Sequence, residues 1–174
     1  SAEEKVRKVL KELREVNERV ERELKRVSDE SERVDDEVNT RAKKVVRDVE
    51  RVLEERAGDK EEVEEVRKRI EELLEELKRL SEENKRRSEE SEKELKEISK
   101  KTDEDLKRIE RLVEAGKDVD EVVERIERLA RESKKRVERI VRENEKSARE
   151  SEKRADEIVK TIEELAERVA RRAT

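Results

Sequence analysis

The uncharged polar side chains recur at positions where a helix would bury them. Asparagine, serine and threonine fall mostly on or beside a stripe of aliphatic residues, and they are densest in the middle third of each helical segment. Their amides and hydroxyls can donate and accept hydrogen bonds, but a serine becomes a nucleophile only beside a base. The set expected to form a buried hydrogen-bond network is Asn17, Ser28, Ser31, Asn84, Ser88, Ser91, Ser99, Thr102, Ser133, Asn144, Ser147 and Ser151.

The groups that would turn these residues into a catalytic or metal site are missing. The chain has no histidine and no cysteine, hence no imidazole base, thiolate, disulfide or soft metal ligand. The clustered carboxylates Asp35, Asp36, Asp103 and Asp105 lack the glycine and the alternating oxygens of a calcium loop, which indicates a solvated helix surface. We expect no catalytic residue, no metal ligand and no cofactor.

The charge pattern argues against nucleic-acid and membrane partners. The 174 residues include 49 Lys and Arg and 54 Asp and Glu, so 59% is charged but the net charge is only −5. Basic runs such as 85–87 and 134–136 are flanked by glutamates, whereas a surface that binds phosphates needs one sign. No three apolar residues are consecutive, which predicts a soluble chain without a membrane span or a targeting signal.

Two glycines divide the chain into three similar segments. Gly58 and Gly116 each follow an alanine, and glycine just past a helix ends it readily in the left-handed conformation. Asp59 and Asp118 follow at positions where a carboxylate can accept hydrogen bonds from the first N–H groups of the next helix. This punctuation predicts helices at about 2–57, 60–115 and 119–173.

The spacing of the aliphatic residues predicts how these helices pack. From Val6 to Val49 the apolar stripe covers 43 residues in 12 steps of three or four, about 3.58 per turn. This value lies between the heptad repeat and a straight helix, which indicates a slight left-handed supercoil. Short connections make neighbouring helices antiparallel. We therefore predict an all-α, antiparallel up-down-up three-helix bundle with helices of about 55 residues, forming a single domain over 1–174.

This register brings the polar residues of the three helices to the same heights. Paired residue numbers should sum to about 117 between the first two helices and about 232 between the last two. Ser28 then lies level with Ser88 and Asn144, and Asn17 lies level with Ser99. Buried polar groups of this kind are tolerated when they satisfy one another, and they then disfavour every other register. A polar cavity for a ligand is the alternative interpretation, and the positions of Asn39 and Thr40 fit no layer.

The chain resembles computationally designed helical bundles with buried hydrogen-bond networks. The resemblance covers all three segments and rests first on their equal length and their Gly-Asp junctions. It rests also on the layers of Val, Leu and Ile and on the Glu, Lys and Arg that fill nearly all of the exposed positions. The stretches 28–33 and 88–93 are similar in style to such designs. Natural spectrin-like or membrane-shaping three-helix proteins normally contain aromatics, methionine and glutamine, all of which this chain lacks.

The resemblance implies a synthetic structural scaffold without a natural biochemical activity. No partner is then required. The alternative that the resemblance also implies is a designed interaction module, which would act as a homo-oligomer, as one component of a heterodimer or as a switch cage. A further helix that completes the polar network would be its partner.

Overall fold

Three long helices make up the chain. A computed structural model describes residues 1–56 and 60–172, of which helix α1 covers Ala2–Arg56, α2 Lys60–Glu114 and α3 Asp120–Arg172. No strand occurs in these ranges, and every pair of helices is in contact. The predicted all-α three-helix bundle is confirmed. The caps predicted at Gly58 and Asp59 lie outside the described residues.

The end of α2 shows why the chain stops being helical there. Gly116 has a φ of +65°, in the left-handed region that glycine enters without a steric penalty. Its N–H donates to the Val113 carbonyl at 3.1 Å, and the Lys117 N–H donates to the Leu112 carbonyl at 3.2 Å. This pair of bonds is the Schellman motif, which satisfies carbonyls that the ending helix leaves without partners.

Side-chain oxygens satisfy N–H groups at two helix starts. The Glu4 N–H donates to Ser1 Oγ at 3.3 Å at the start of α1. The Asp120 N–H donates to Asp118 Oδ1 at 3.1 Å, so Asp118 caps α3 across a two-residue turn. Helix α3 begins at Asp120, one residue later than the glycine and capping pattern predicts.

Contacts between Cα atoms divide the chain into two compact units. Unit 1 consists of Ser1–Asp29 and Ser88–Glu145, and unit 2 consists of Glu30–Arg87 and Lys146–Thr174. Each unit therefore contains a piece of all three helices. The single domain over 1–174 stays a prediction.

Aliphatic residues from all three helices form the core of each unit. Unit 1 has two buried clusters, one of Val16, Val20, Val27, Leu95, Ile98, Val137, Ile140 and Val141 and one of Val9, Leu13, Ile109, Val119, Val123, Ile126 and Ala130. The core of unit 2 consists of Val34, Val38, Val45, Val49, Leu53, Val63, Val66, Ile70, Leu73, Leu77, Ala148, Ala155, Ile158, Ile162, Ala166 and Val169. Burial of this apolar surface is what holds each unit together.

Polar contacts report the helix register within each unit. Asn17 bonds to Ser99 in unit 1 and Asp35 to Ser81 in unit 2, so both α1–α2 pairs have residue numbers that sum to 116, close to the predicted 117. The residue numbers of the α2–α3 pair, Ser91 and Asn144, sum to 235, against a predicted 232.

No helix of the described residues is apolar over a length that could cross a membrane.

Candidate functional site

The polar contact between Ser91 and Asn144 joins α2 to α3 in unit 1. The Ser91 hydroxyl donates to the Asn144 side-chain carbonyl oxygen at 2.8 Å, and both residues are half-buried. The Asn144 amide nitrogen is buried and makes no hydrogen bond with any described residue. The contact therefore satisfies the carbonyl oxygen of Asn144, whereas its buried amide nitrogen has no acceptor among the described residues.

Asn17 forms a second interhelical contact in unit 1, between α1 and α2. Its carbonyl oxygen accepts from the Ser99 hydroxyl at 3.2 Å, and its amide nitrogen donates to the Asp103 carboxylate at 2.7 Å. The three side chains form a short chain of hydrogen bonds that runs from half-buried Ser99 to exposed Asp103. Asn17 thereby uses its carbonyl acceptor and one of its two N–H donors across one helix interface.

Thr102 was predicted to belong to this network, but its hydroxyl bonds elsewhere. The side chain is 3% exposed, and its Oγ1 donates to the Ile98 carbonyl of its own helix at 2.8 Å. Threonine commonly satisfies its hydroxyl in this way inside a helix. The hydrogen bond of Thr102 therefore carries no information about helix pairing.

The remaining residues of the predicted network are buried or half-buried, but no hydrogen bond in the described part of the chain joins them to one another. Ser147 accepts a hydrogen bond from Arg87 at 2.9 Å in unit 2. Asn84 and Ser151 are buried, but their side chains bond to no described residue. The half-buried serines with no side-chain hydrogen bond among the described residues are Ser28, Ser31, Ser88 and Ser133. The structure thus brings together two interhelical pairs from the predicted set.

Sequence reasoning missed a contact of the same kind in unit 2. The Ser81 hydroxyl donates to the Asp35 carboxylate and links α2 to α1. Their residue numbers fit the predicted register, so this signal was available. It was overlooked because Asp35 was interpreted as part of a solvated acidic face.

A buried carboxylate was also missed in unit 1. Glu23 is 4% exposed, and its Oε1 lies 3.3 Å from Arg19 Nε while its Oε2 lies 4.0 Å from Arg26 Nη1. Arg26 in turn contacts Glu145 of α3 at 2.7 Å. The buried carboxylate thus lies beside two cations, although Glu23 Oε2 and Arg19 Nε are buried without a hydrogen-bond partner among the described residues.

Two acidic groups of unit 1 have perturbed ionisation. The hydrogen bond from Arg131 to Glu127, with a second from Lys8, lowers the pKa of the Glu127 carboxyl. Burial raises the pKa of the Asp105 carboxyl despite the nearby Lys101. Both shifts have local structural causes, an ion pair for Glu127 and burial for Asp105.

One groove of unit 2 is bordered by an ion pair. A groove of about 530 Å³ in unit 2 lies between α1 and α3 and is lined mainly by charged groups, including Asp36 and Glu152. Arg41 and Asp156, which also line it, form an ion pair with each other. Across the described residues, no three carboxylates come close enough to hold a metal ion.

No family model, curated protein or solved structure matches this chain. Its class is therefore defined by its own geometry, as an all-α three-helix bundle with some polar side-chain hydrogen bonds between its helices.

Proposed function

We propose that this chain is a computationally designed structural scaffold whose interhelical polar contacts specify helix register. Support comes from the three helices of 55, 55 and 53 residues, from a surface of Glu, Lys and Arg, and from the absence of histidine and cysteine. The proposal includes no catalytic activity, no cofactor and no natural partner.

The hydrogen bond between Ser91 and Asn144 is the observation that carries the proposal. An aliphatic seam tolerates a slip between helices, because one apolar side chain can replace another at small cost. A half-buried amide and hydroxyl do not tolerate it, since each loses its partner and an unpaired buried polar group costs about 1–3 kcal/mol. The contact contributes more to the choice of register than to stability.

The test compares Asn144→Leu with the double variant Asn144→Leu/Ser91→Ala. Spin labels are attached at Lys93→Cys on α2 and Arg142→Cys on α3, two exposed positions in a chain that has no other cysteine. We expect one narrow distance distribution in the parent chain. The double variant should keep its helix content but give a broadened or second distance, because the register-specific contact is gone without an unpaired hydroxyl remaining.

A distance distribution that stays narrow in both variants, with unchanged mass, would contradict the register role. Glu143→Gln is the matched control, since it alters an exposed neighbour on the same helix. It should leave the distribution unchanged.

The buried amide nitrogen of Asn144 favours a second candidate function, that of an interaction module. A donor without a partner among the described residues is a group that a further polar helix could satisfy. Light scattering after size exclusion separates the two functions. A mass near 20.8 kDa at all protein concentrations supports the scaffold, and a concentration-dependent multiple supports the module.

A further inference from the structure

Helices α1 and α3 are not consecutive in the chain, so no turn connects them directly. Ion pairs join them instead. Helices α1 and α3 run parallel in unit 1, where three ion pairs join residues that are 119 positions apart. Their N···O distances are 3.4, 3.1 and 2.7 Å, for Lys8–Glu127, Lys134–Glu15 and Arg26–Glu145. Unit 2 has the same offset in Arg33–Glu152, at 2.7 Å, and a second α1–α3 ion pair, Arg41–Asp156, whose residues are 115 positions apart.

One of these pairs has its charges reversed, so a slip between the helices brings like charges together at one position. Glu15 on α1 faces Lys134 on α3, whereas at the other positions α1 supplies the cation. A slip of one heptad would place Lys8 opposite Lys134 in one direction and Glu15 opposite Glu127 in the other. Either slip thus creates a like-charge pair, which is how charged residues select between competing helix alignments.

A slip of eleven residues also keeps the same helix face inward, and it also creates like-charge pairs. It would place Glu15 opposite Glu145 in one direction and Arg26 opposite Lys134 in the other. The aliphatic contacts do not discriminate as well, since Val20 and Val27 of the unit 1 core are themselves one heptad apart. The charged side chains of α1 and α3 therefore favour this alignment in addition to the α2–α3 connection.

That connection depends on a single residue conformation. Gly116 is the one residue with positive φ among the described residues, and it ends α2 through the Schellman bonds. A Cβ atom at Gly116 would meet no atom within 4 Å, so a side chain there changes the backbone preference without causing a clash. A residue that prefers the right-handed helix would favour continuation of α2 into α3.

We propose that α3 is exchangeable between copies of this chain, so that α3 of a second copy binds α1 in the same 119-residue register. In the resulting domain-swapped dimer, α2 and α3 of each copy form one continuous helix. Each helix interface of the closed chain is re-formed between the copies, and only the turn at Gly116 has to open. This proposal does not rest on the scaffold function, because it concerns the ion pairs and the turn and leaves the polar hydrogen bonds unchanged.

The first experiment uses the full chain with Gly116→Ala. Light scattering should give a mass that rises with concentration from 20.8 kDa towards twice that value. The matched control Lys117→Ala changes the same turn but keeps the glycine, and it should stay near 20.8 kDa. A Gly116→Ala chain that remains monomeric at all concentrations would overturn the proposal.

The second experiment tests which surfaces meet in the dimer. Two Gly116→Ala chains are refolded together, one with Lys8→Glu/Arg26→Glu and one with Glu127→Lys/Glu145→Lys. Like charges face each other in each chain alone, whereas a swapped heterodimer restores opposite charges at both interfaces. Native mass spectrometry should show the heterodimer in at least about tenfold excess over either homodimer, which corresponds to about 1.4 kcal/mol.

Its control replaces the first chain with Lys11→Glu/Lys25→Glu, which makes the same change in charge at exposed α1 positions that form no ion pair among the described residues. That chain should show no such preference. Random pairing in the test mixture would mean that the dimer forms through another surface, and it would overturn the proposal.

Discussion

Ser91 Oγ lies 2.8 Å from Asn144 Oδ1, and this hydrogen bond links α2 and α3 of unit 1. The Asn144 amide nitrogen is buried without a partner among the described residues. The two residues are 53 positions apart in the chain, on antiparallel helices. Because a buried polar group is costly only when it is unpaired, the loss of one partner should weaken the fold more than the loss of both.

Ser91→Ala should lower the free energy of unfolding by about 1 kcal/mol, since it leaves the Asn144 carbonyl oxygen without a donor. Asn144→Leu should also destabilise, because it leaves the Ser91 hydroxyl unpaired. The double variant should be less destabilised than the sum of the two single variants. Urea unfolding followed by circular dichroism measures all three, and strictly additive losses would show that the two side chains do not interact.

Asn17→Ala should cost more than Ser91→Ala, about 1–2 kcal/mol, because Asn17 bonds to both Ser99 and Asp103. Asp103→Ala is the control, since it removes one bond at an exposed position. The difference between the two variants in urea unfolding gives the contribution of the half-buried Ser99 contact. Equal losses would indicate that this contact contributes nothing to stability.

Thr102→Val should change the free energy of unfolding by no more than about 0.5 kcal/mol. Its hydroxyl bonds to the Ile98 carbonyl within α2, so the variant leaves no group on another helix unpaired. Valine also retains the shape of the buried side chain. A loss well above about 1 kcal/mol would mean that Thr102 takes part in helix pairing after all, and thermal unfolding is sufficient to detect it.

Gly116→Ala should destabilise the closed monomer by about 1–2 kcal/mol, because alanine resists the left-handed conformation. Gly116→Asn should cost less, since asparagine enters that region more readily. Chemical unfolding at low protein concentration, where self-association is suppressed, measures both. Equal stability of the alanine variant and the parent chain would remove the requirement for positive φ at this turn.

Glu127→Gln should flatten the dependence of stability on pH. The pKa of the Glu127 carboxyl is lowered in the folded chain, chiefly by Arg131, so the stabilisation is complete above the ordinary glutamate pKa and is lost as pH falls through the folded value. The variant should therefore be less stable than the parent at neutral pH and converge with it in acid. Urea midpoints across this range test the sign, and a constant difference would refute it.

The ends of the helices, and the residues that lie level along the bundle, could be predicted from the sequence because both depend on local signals. Residues 116 and 118 mark the turn between α2 and α3 through backbone preference and capping. The end of α2 at Glu114 and the start of α3 at Asp120 each lie one residue from the predicted bounds of 115 and 119. The short turn then determines which residues lie level. The α2–α3 pair of Ser91 and Asn144 accordingly lies near the predicted register.

Hydrogen-bond partners could not be derived in the same way. Height along the bundle places two residues level, but the rotation of each helix and the rotamer of each side chain determine where a hydroxyl points. Thr102 lies near the height of Asn17 and still bonds within its own helix, whereas Ser81 reaches Asp35, which was assigned to the surface.

The sequence by itself determined the number of helices, their lengths and their relative order, because glycine conformation, capping and apolar periodicity act over a few residues. Only the tertiary structure decided which polar groups meet. It also revealed the 119-residue offset between α1 and α3 and the burial of Glu23. These features depend on the angular positions of side chains on separate helices, which a one-dimensional pattern dominated by interchangeable charged residues does not encode.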